Sequence, residues 1–297
     1  MTAIIRKELR GYFNSWIGYI FLFILVGLVG VFFALINLNY QMGNFQDTLT
    51  NITIFLLILV PVLTMRLFAE EARQRTDQLL FTSPITVMSI VLGKFLSAFV
   101  LACIGLGLTL IFPLMIIPYG TLPGAEIFVV YLGYALLIAC YISVGMFISA
   151  CTENQIIAAV ITFFVMIFMY IMDGIAAQVT NIVTASQSSS SAAMISLLFV
   201  AIIIAVLAYI IYDATKNYYA TGGLALILIA VATGLYVFDA SLFDGFLTKS
   251  IQWVSVMSRF TNFENGVLNV SDIIYYISFA ALFIYLSVNA IEKKRWK

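Results

Sequence analysis

Apolar runs close to bilayer length follow one another along the chain, separated by short polar breaks. They cover Trp16 to Ile36, Ile52 to Phe68, about Ile90 to Ile117, Ile127 to Ala150, Ile156 to Met172, Met194 to Tyr212, Tyr218 to Phe238 and Ile273 to Ile291. A helix needs about 20 apolar residues to cross the hydrocarbon core. The runs are continuous rather than alternating, which argues against a closed barrel. The pattern therefore predicts an all-α, polytopic helical membrane protein with about eight transmembrane helices in one domain over 1–297, with no internal repeat and no separate soluble domain. Pro61 should kink the second span. Pro113, Pro118 and Pro123 should break the outer end of the third, which exceeds the hydrocarbon thickness.

The polar breaks differ in character. In residues 1–15, Ile4, Ile5, Leu9, Tyr12 and Phe13, followed by Trp16, fall on one helical face, with Arg6, Lys7 and Arg10 largely opposite. That suits an interfacial helix lying among lipid headgroups, or else a basic tail before the first span. Asn37 to Thr50 reads as a polar loop without Lys or Arg. The densest charge cluster, Glu70, Glu71, Arg73, Arg75 and Asp77, lies between the second and third spans and predicts a short polar helix over 69–82. There Glu71 and Arg75 stand at i,i+4, Glu70 can reach Arg73 or Gln74, and Ser83-Pro84 can start the next helix. By itself such a run is a solvated hairpin; the sharper reading is a docking helix for a partner that moves. Thr152, Glu153, Asn154 and Gln155 form a capping-box turn with Thr152 as N-cap. Asp173-Gly174 should close the fifth span, and the stretch through 186–191 is polar and Ser-rich. Residues 239–270 are amphipathic, too polar to cross, and read as an outer surface segment; Asn269 and Asp272 can cap the last span.

Composition sharpens this picture. The chain is 63% hydrophobic and 9% charged, with a mean hydropathy of +1.10, far from a soluble domain. The net charge of +0 is uninformative, but its distribution is not: with both termini cytoplasmic, only Lys249 and Arg259 of 14 Lys and Arg fall outside. The first run lacks a small-residue cleavage site and should remain as a span. Cys103, Cys140 and Cys151 show no CxxC spacing, so a disulfide framework or zinc site is unsupported and small core hydrophobes are expected. With no His and no phosphate-binding loop, we assign no catalytic residue, metal or cofactor, and no nucleic-acid partner. Gly93-Lys94 lacks the upstream glycine and following Ser or Thr of such a loop. An intramembrane enzyme would need a nucleophile or metal constellation that is missing. Every Asp and Glu is placed at or beyond a span end, whereas ion-coupled carriers keep an ionisable group near the midplane. Energy should then come from a separate protein docking on the cytoplasmic side, at the 69–82 helix and at Thr152 to Asn154.

Three sequence regions also carry a resemblance: Arg6 to Arg10 with Gly11 to Phe13; Glu70-Glu71 through Thr76 to Leu80 with Ser83-Pro84 and Gly93-Lys94; and Phe263, Gly266 to Leu268, Asp272, Tyr275-Tyr276 and Glu292 to Trp296. In these the chain resembles the membrane subunit of type-2 ABC transporters, in particular gliding-motility-associated and multidrug-type permeases. The resemblance implies that two such subunits pair, as a homo- or heterodimer. Each docks a nucleotide-binding ATPase subunit through a coupling helix, here about Glu70 to Phe81. Glu70, Glu71, Arg73, Arg75 and Asp77 would form that contact, with Thr152, Glu153 and Asn154 as the second. Arg6, Lys7 and Arg10 would belong to the family's interfacial helix, in contact with membrane lipids. The family usually has six spans, so Met194 to Phe238 would be an extra pair. The implied function is an exporter permease in the plasma membrane of a bacterial cell, working by alternating access in which the first, second and fifth spans rock. The alternative is a subunit that relays ATP-driven motion to an extracytoplasmic accessory protein through 239–270. The substrate is not legible: an aromatic-rich interior would suit lipids, drugs or amphipathic peptides, but such residues mostly pack or sit at interfaces.

Overall fold

The computed structural model describes residues 2–39, 45–75, 86–116, 124–185 and 255–295. They form α1 (Thr2–Asn14), α2 (Trp16–Phe33, prolonged by a π-helical turn Ala34–Asn39), α3 (Phe45–Thr64) and α4 (Ala69–Gln74). Then come α5 (Val87–Thr109, followed by a turn Ile111–Leu114), α6 (Gly124–Cys151), α7 (Gln155–Ala185), α8 (Val256–Glu264) and α9 (Val270–Arg295). Among the described residues there is no strand, and six helices are long and apolar enough to cross a membrane: Trp16–Asn39, Phe45–Gln74, Val87–Leu114, Gly124–Cys151, Gln155–Met172 and Val270–Arg295. The chain is an all-α, multi-pass membrane protein. The proposed spans Met194 to Tyr212 and Tyr218 to Phe238 lie outside the described residues, as do 239–254 of the amphipathic segment.

Two compact units divide the chain, 1–168 with 259–297, and 169–258. Of the second, the described parts are the end of α7 from Met169 and residues 255–258. In the first, α6 is the hub, packing on α3, α5 and α9. Its sequence is apolar all round, as a helix enclosed by neighbours should be. Tyr134, Leu137, Tyr141 and Cys140 are fully buried on it. Close approach is made possible where side chains are missing: a Cβ at Gly145 would strike Thr64 on α3, and one at Gly133 would strike Phe263 on α8. Conversely α2 exposes Trp16, Tyr19 and Phe23, and α7 exposes Ile156, Phe164 and Phe168, surfaces that need lipid rather than water.

Several local expectations are corrected. The loop expected over Asn37 to Thr50 is largely helical, since α3 begins at Phe45 and buries Gln46 and Thr48. Those polar groups are satisfied sideways: Thr48 Oγ1 donates to Asn37 Oδ1 at 2.7 Å, and Gln46 Nε2 to Glu126 Oε2 at 2.9 Å. Asp173-Gly174 does not end α7, which runs on to Ala185; one glycine costs a helix only about 1 kcal/mol. Pro61 lies inside α3, which continues to Thr64 before a turn over 65–68. The third span does break before Pro113, whose missing N–H leaves the Thr109 carbonyl without a helical partner. Pro118, Pro123, Ser83 and Pro84 are outside the described residues; the cap seen on α5 is Thr86, whose hydroxyl accepts from Ser89 N. Asp272, the third residue of α9, does not cap it. Its carboxylate takes bonds from Arg259 Nη1 (2.9 Å) and Asn262 Nδ2 (2.7 Å), fastening α8 to α9, with the guanidinium 4.2 Å from the Tyr275 ring.

Candidate functional site

At one end of the first unit, α1, α4 and the first turns of α5 carry a dense set of charges. Within the expected 69–82 stretch, α4 runs from Ala69 to Gln74, and Arg75 caps it in the left-handed conformation, φ 55°. Residues 76–82, including Asp77, lie outside the described residues. Because Arg75 has left the helix, it does not occupy the i+4 position expected opposite Glu71. Instead Glu71 Oε2 lies 3.0 Å from Lys94 Nζ on α5, and its Oε1 lies 3.5 Å from Lys7 Nζ on α1. Glu70 reaches back one turn rather than forward to Arg73 or Gln74. It pairs with Arg66 through both carboxylate oxygens, at 2.5 and 3.2 Å.

Lys94 lies seven residues into α5, and its side chain is only 2% exposed. Its ammonium also donates to Glu8 Oε1 at 3.0 Å, and the Phe68 ring centroid is 5.2 Å away. Glu8 owes this position to helical spacing. Ile4, Glu8 and Tyr12 recur every four residues on the face of α1 turned to the protein, and Ile4 and Tyr12 are buried. The apolar face read from the sequence therefore splits. Ile4 and Tyr12 face the protein, Ile5, Leu9 and Phe13 are half-buried, Trp16 is 83% exposed, and Arg6, Lys7 and Arg10 are exposed on the remaining side.

An elbow joins α1 to α2. Tyr12 OH donates to Leu63 O at 3.4 Å, Ser15 Oγ donates to Tyr12 O at 3.3 Å, and Arg66 Nη1 donates to Ser15 Oγ at 3.1 Å. Burial, with Glu8 nearby, pushes the Tyr12 phenol well above its ordinary value, so it stays neutral. The start of α4 has no cap of its own. Ser149 of α6 supplies one: its Oγ accepts from Phe68 N and Ala69 N, both at 3.1 Å, and donates to Met65 O at 3.2 Å.

Ser149 precedes Thr152 by three residues, so the second expected contact, Thr152 to Asn154, is at the same end as α4. Its capping differs from the expected box. Thr152 Oγ1 donates back to Ile148 O at 3.0 Å, and Asn154 is the cap of α7, accepting from Ile156 N at 2.9 Å. Arg73, Gln74 and Arg75 are exposed, as are Glu153 and Asn154, whereas Glu70 and Glu71 are turned toward their own chain.

Lys94, Glu8, Arg66 and Ser149 were missed as site residues in the sequence. A lysine inside an apolar run was a usable signal, since an ionisable group there marks function by default. Glu8 on an otherwise apolar helical face was another; nothing marked Ser149. In comparisons with known proteins, the family model described as "ABC-2 family transporter protein" matches residues 33–184, from the end of α2 through α7. No curated protein and no solved structure matches the chain.

Proposed function

Because the chain belongs to the ABC-2 family of transporter proteins, whose model covers just over half of it, we propose that it is the permease subunit of an exporter driven by a separate nucleotide-binding ATPase subunit. Two permease subunits pair in the plasma membrane of a bacterial cell, with both termini and α4 on the cytoplasmic side, and substrate leaves by alternating access. The observation that supports this most is the construction of α4. It is a short polar helix held against the transmembrane helices by Ser149, Lys94 and Arg66, with Arg73, Gln74 and Arg75 left exposed. Force applied there reaches α3, α5 and α6 through side chains as well as through the backbone. The exposed charges of α4 are cationic, so the complementary surface on the ATPase is acidic. Thr152, Glu153 and Asn154 extend the contact, and Arg6, Lys7 and Arg10 face the headgroup region.

The test is the double reversal Arg73→Glu and Arg75→Glu in the complex extracted from membranes. Surface substitutions away from packed features change stability by about 0.5 kcal/mol or less, so the permease should melt as wild type. ATPase recovered with the tagged permease should fall, and with it the permease-dependent stimulation of ATP hydrolysis. Undiminished recovery and stimulation would remove α4 as the docking element.

A further inference from the structure

We infer that Lys94 is a positioning residue that locks α1 and α4 to α5, so that the interfacial helix travels with the docking helix as one body. This rests on α4 being the docking element. Four charges alternate in sign in a row, Glu8, Lys94, Glu71 and Lys7, with contacts of 3.0, 3.0 and 3.5 Å. They come from three helices: α1 gives the two ends, α4 gives Glu71, and α5 gives the central ammonium. The Lys94 side chain is nearly inaccessible, while Glu8 and Glu71 are 17% and 16% exposed.

A buried ammonium is costly to strand, because its desolvation is repaid only while its carboxylates remain in place. Withdrawing α4 alone would leave Lys94 with Glu8; withdrawing α1 alone would leave it with Glu71. Removing the ammonium would leave two carboxylates turned toward one another, which repel. The arrangement therefore resists any motion that separates the three helices and permits motion that carries them together. Arginine at position 94 would keep the charge. Methionine would keep much of the apolar stem and lose it.

The experiment uses the full chain in nanodiscs with its ATPase subunit, the three native cysteines replaced by alanine. Spin labels are placed at Asn14→Cys on α1, which is exposed, and at Ala72→Cys on α4, which is half-buried and outside the exposed docking face. Label distances are read with and without ATP in the hydrolysis-deficient complex. In the parent and in Lys94→Arg, one α1–α4 distance is expected, unchanged by ATP. In Lys94→Met the distribution should broaden and shift on ATP binding while the ATPase is still recovered. Glu8→Gln, which weakens one arm only, should broaden it in the same sense and decides the matter if Lys94→Met does not fold. A parent distance that changes with ATP overturns the inference, as do Lys94→Met or Glu8→Gln distributions that match the parent. Failure of the docking assignment itself would show elsewhere, as retained ATPase recovery in the Arg73→Glu, Arg75→Glu protein.

Discussion

Replacing Ser149 by alanine removes one hydroxyl from the middle of three backbone groups. Phe68 N and Ala69 N each lose an acceptor at 3.1 Å, and Met65 O loses a donor at 3.2 Å. Ala69 is fully buried, so water has poor access to its amide; Phe68 is half-buried and recovers part of the loss by hydration. A buried backbone donor left unpaired costs about 1–3 kcal/mol, and an ordinary bond to a group that can rehydrate about 0.5–1.5. Against this, alanine in the α6 helix gains about 0.5 kcal/mol over serine. The net penalty is about 1–4 kcal/mol, and it falls on the first turn of α4.

At 1.4 kcal/mol per factor of ten, local opening of residues 68–69 should become about 5- to 700-fold more frequent. Hydrogen exchange of the protein in nanodiscs reads this directly: peptides spanning 66–75 should exchange faster by that factor, while those from α5 and the bulk of α6 keep their protection. The proposed docking charges, Arg73 and Arg75, are untouched, so on that proposal any loss of ATPase stimulation would come from a loosened α4. Unaltered exchange at 68–69, or acceleration spread evenly along α6, would show that Ser149 does not hold α4.

Two further perturbations probe the ties at the other end of the fold and at the elbow. Asp272→Ala strips Arg259 and Asn262 of their shared acceptor, and the thermal midpoint should fall by the equivalent of about 3 kcal/mol. Adding Arg259→Met should restore most of it. Tyr12→Phe loses one long hydrogen bond, worth about 0.5 kcal/mol at neutral pH. Since the fold raises the Tyr12 phenol above its ordinary 10.0, its contribution is whole below that value and is lost as the pH climbs through it toward the folded value. Unfolding scans between about pH 9 and about pH 11 should therefore destabilise wild type more than Tyr12→Phe.

The six spans among the described residues were legible because length and continuity of apolar runs are one-dimensional properties that lipid imposes directly. Turns and caps were less so. Thr152 and Asn154 are equally good capping residues two positions apart, and only the path of the chain decides between them. The ion pairs were least legible. Glu70 had arginines on both sides, and helical spacing offered Arg73 or Gln74 ahead of it as well as Arg66 behind. Arg66 won because Ser15 accepts from its guanidinium and holds it beside Glu70, while Arg73 stays exposed. The positive-inside count places Lys94 with the cytoplasmic charges but says nothing of its burial or partners. Its partners, Glu8 and Glu71, lie 86 and 23 positions away in sequence, beyond any local pattern.

The division of charge within α4 follows from its place in the fold. Acidic residues in the first turn of a helix are favoured by the exposed N–H groups there, and this is also the end that Ser149 presses against α6. Glu70 and Glu71 are thus the residues brought nearest to Arg66, Lys94 and Lys7, and they are neutralised within the chain. Arg73 and Arg75, past the middle of a six-residue helix, project where no other described element covers them. Buried ion pairs add little net stability compared with apolar packing, but they fix geometry, because each alternative arrangement strands a charge. That is the property the proposed force-transmitting contact would require: the acids set where α4 sits, and the arginines are left free for the proposed partner.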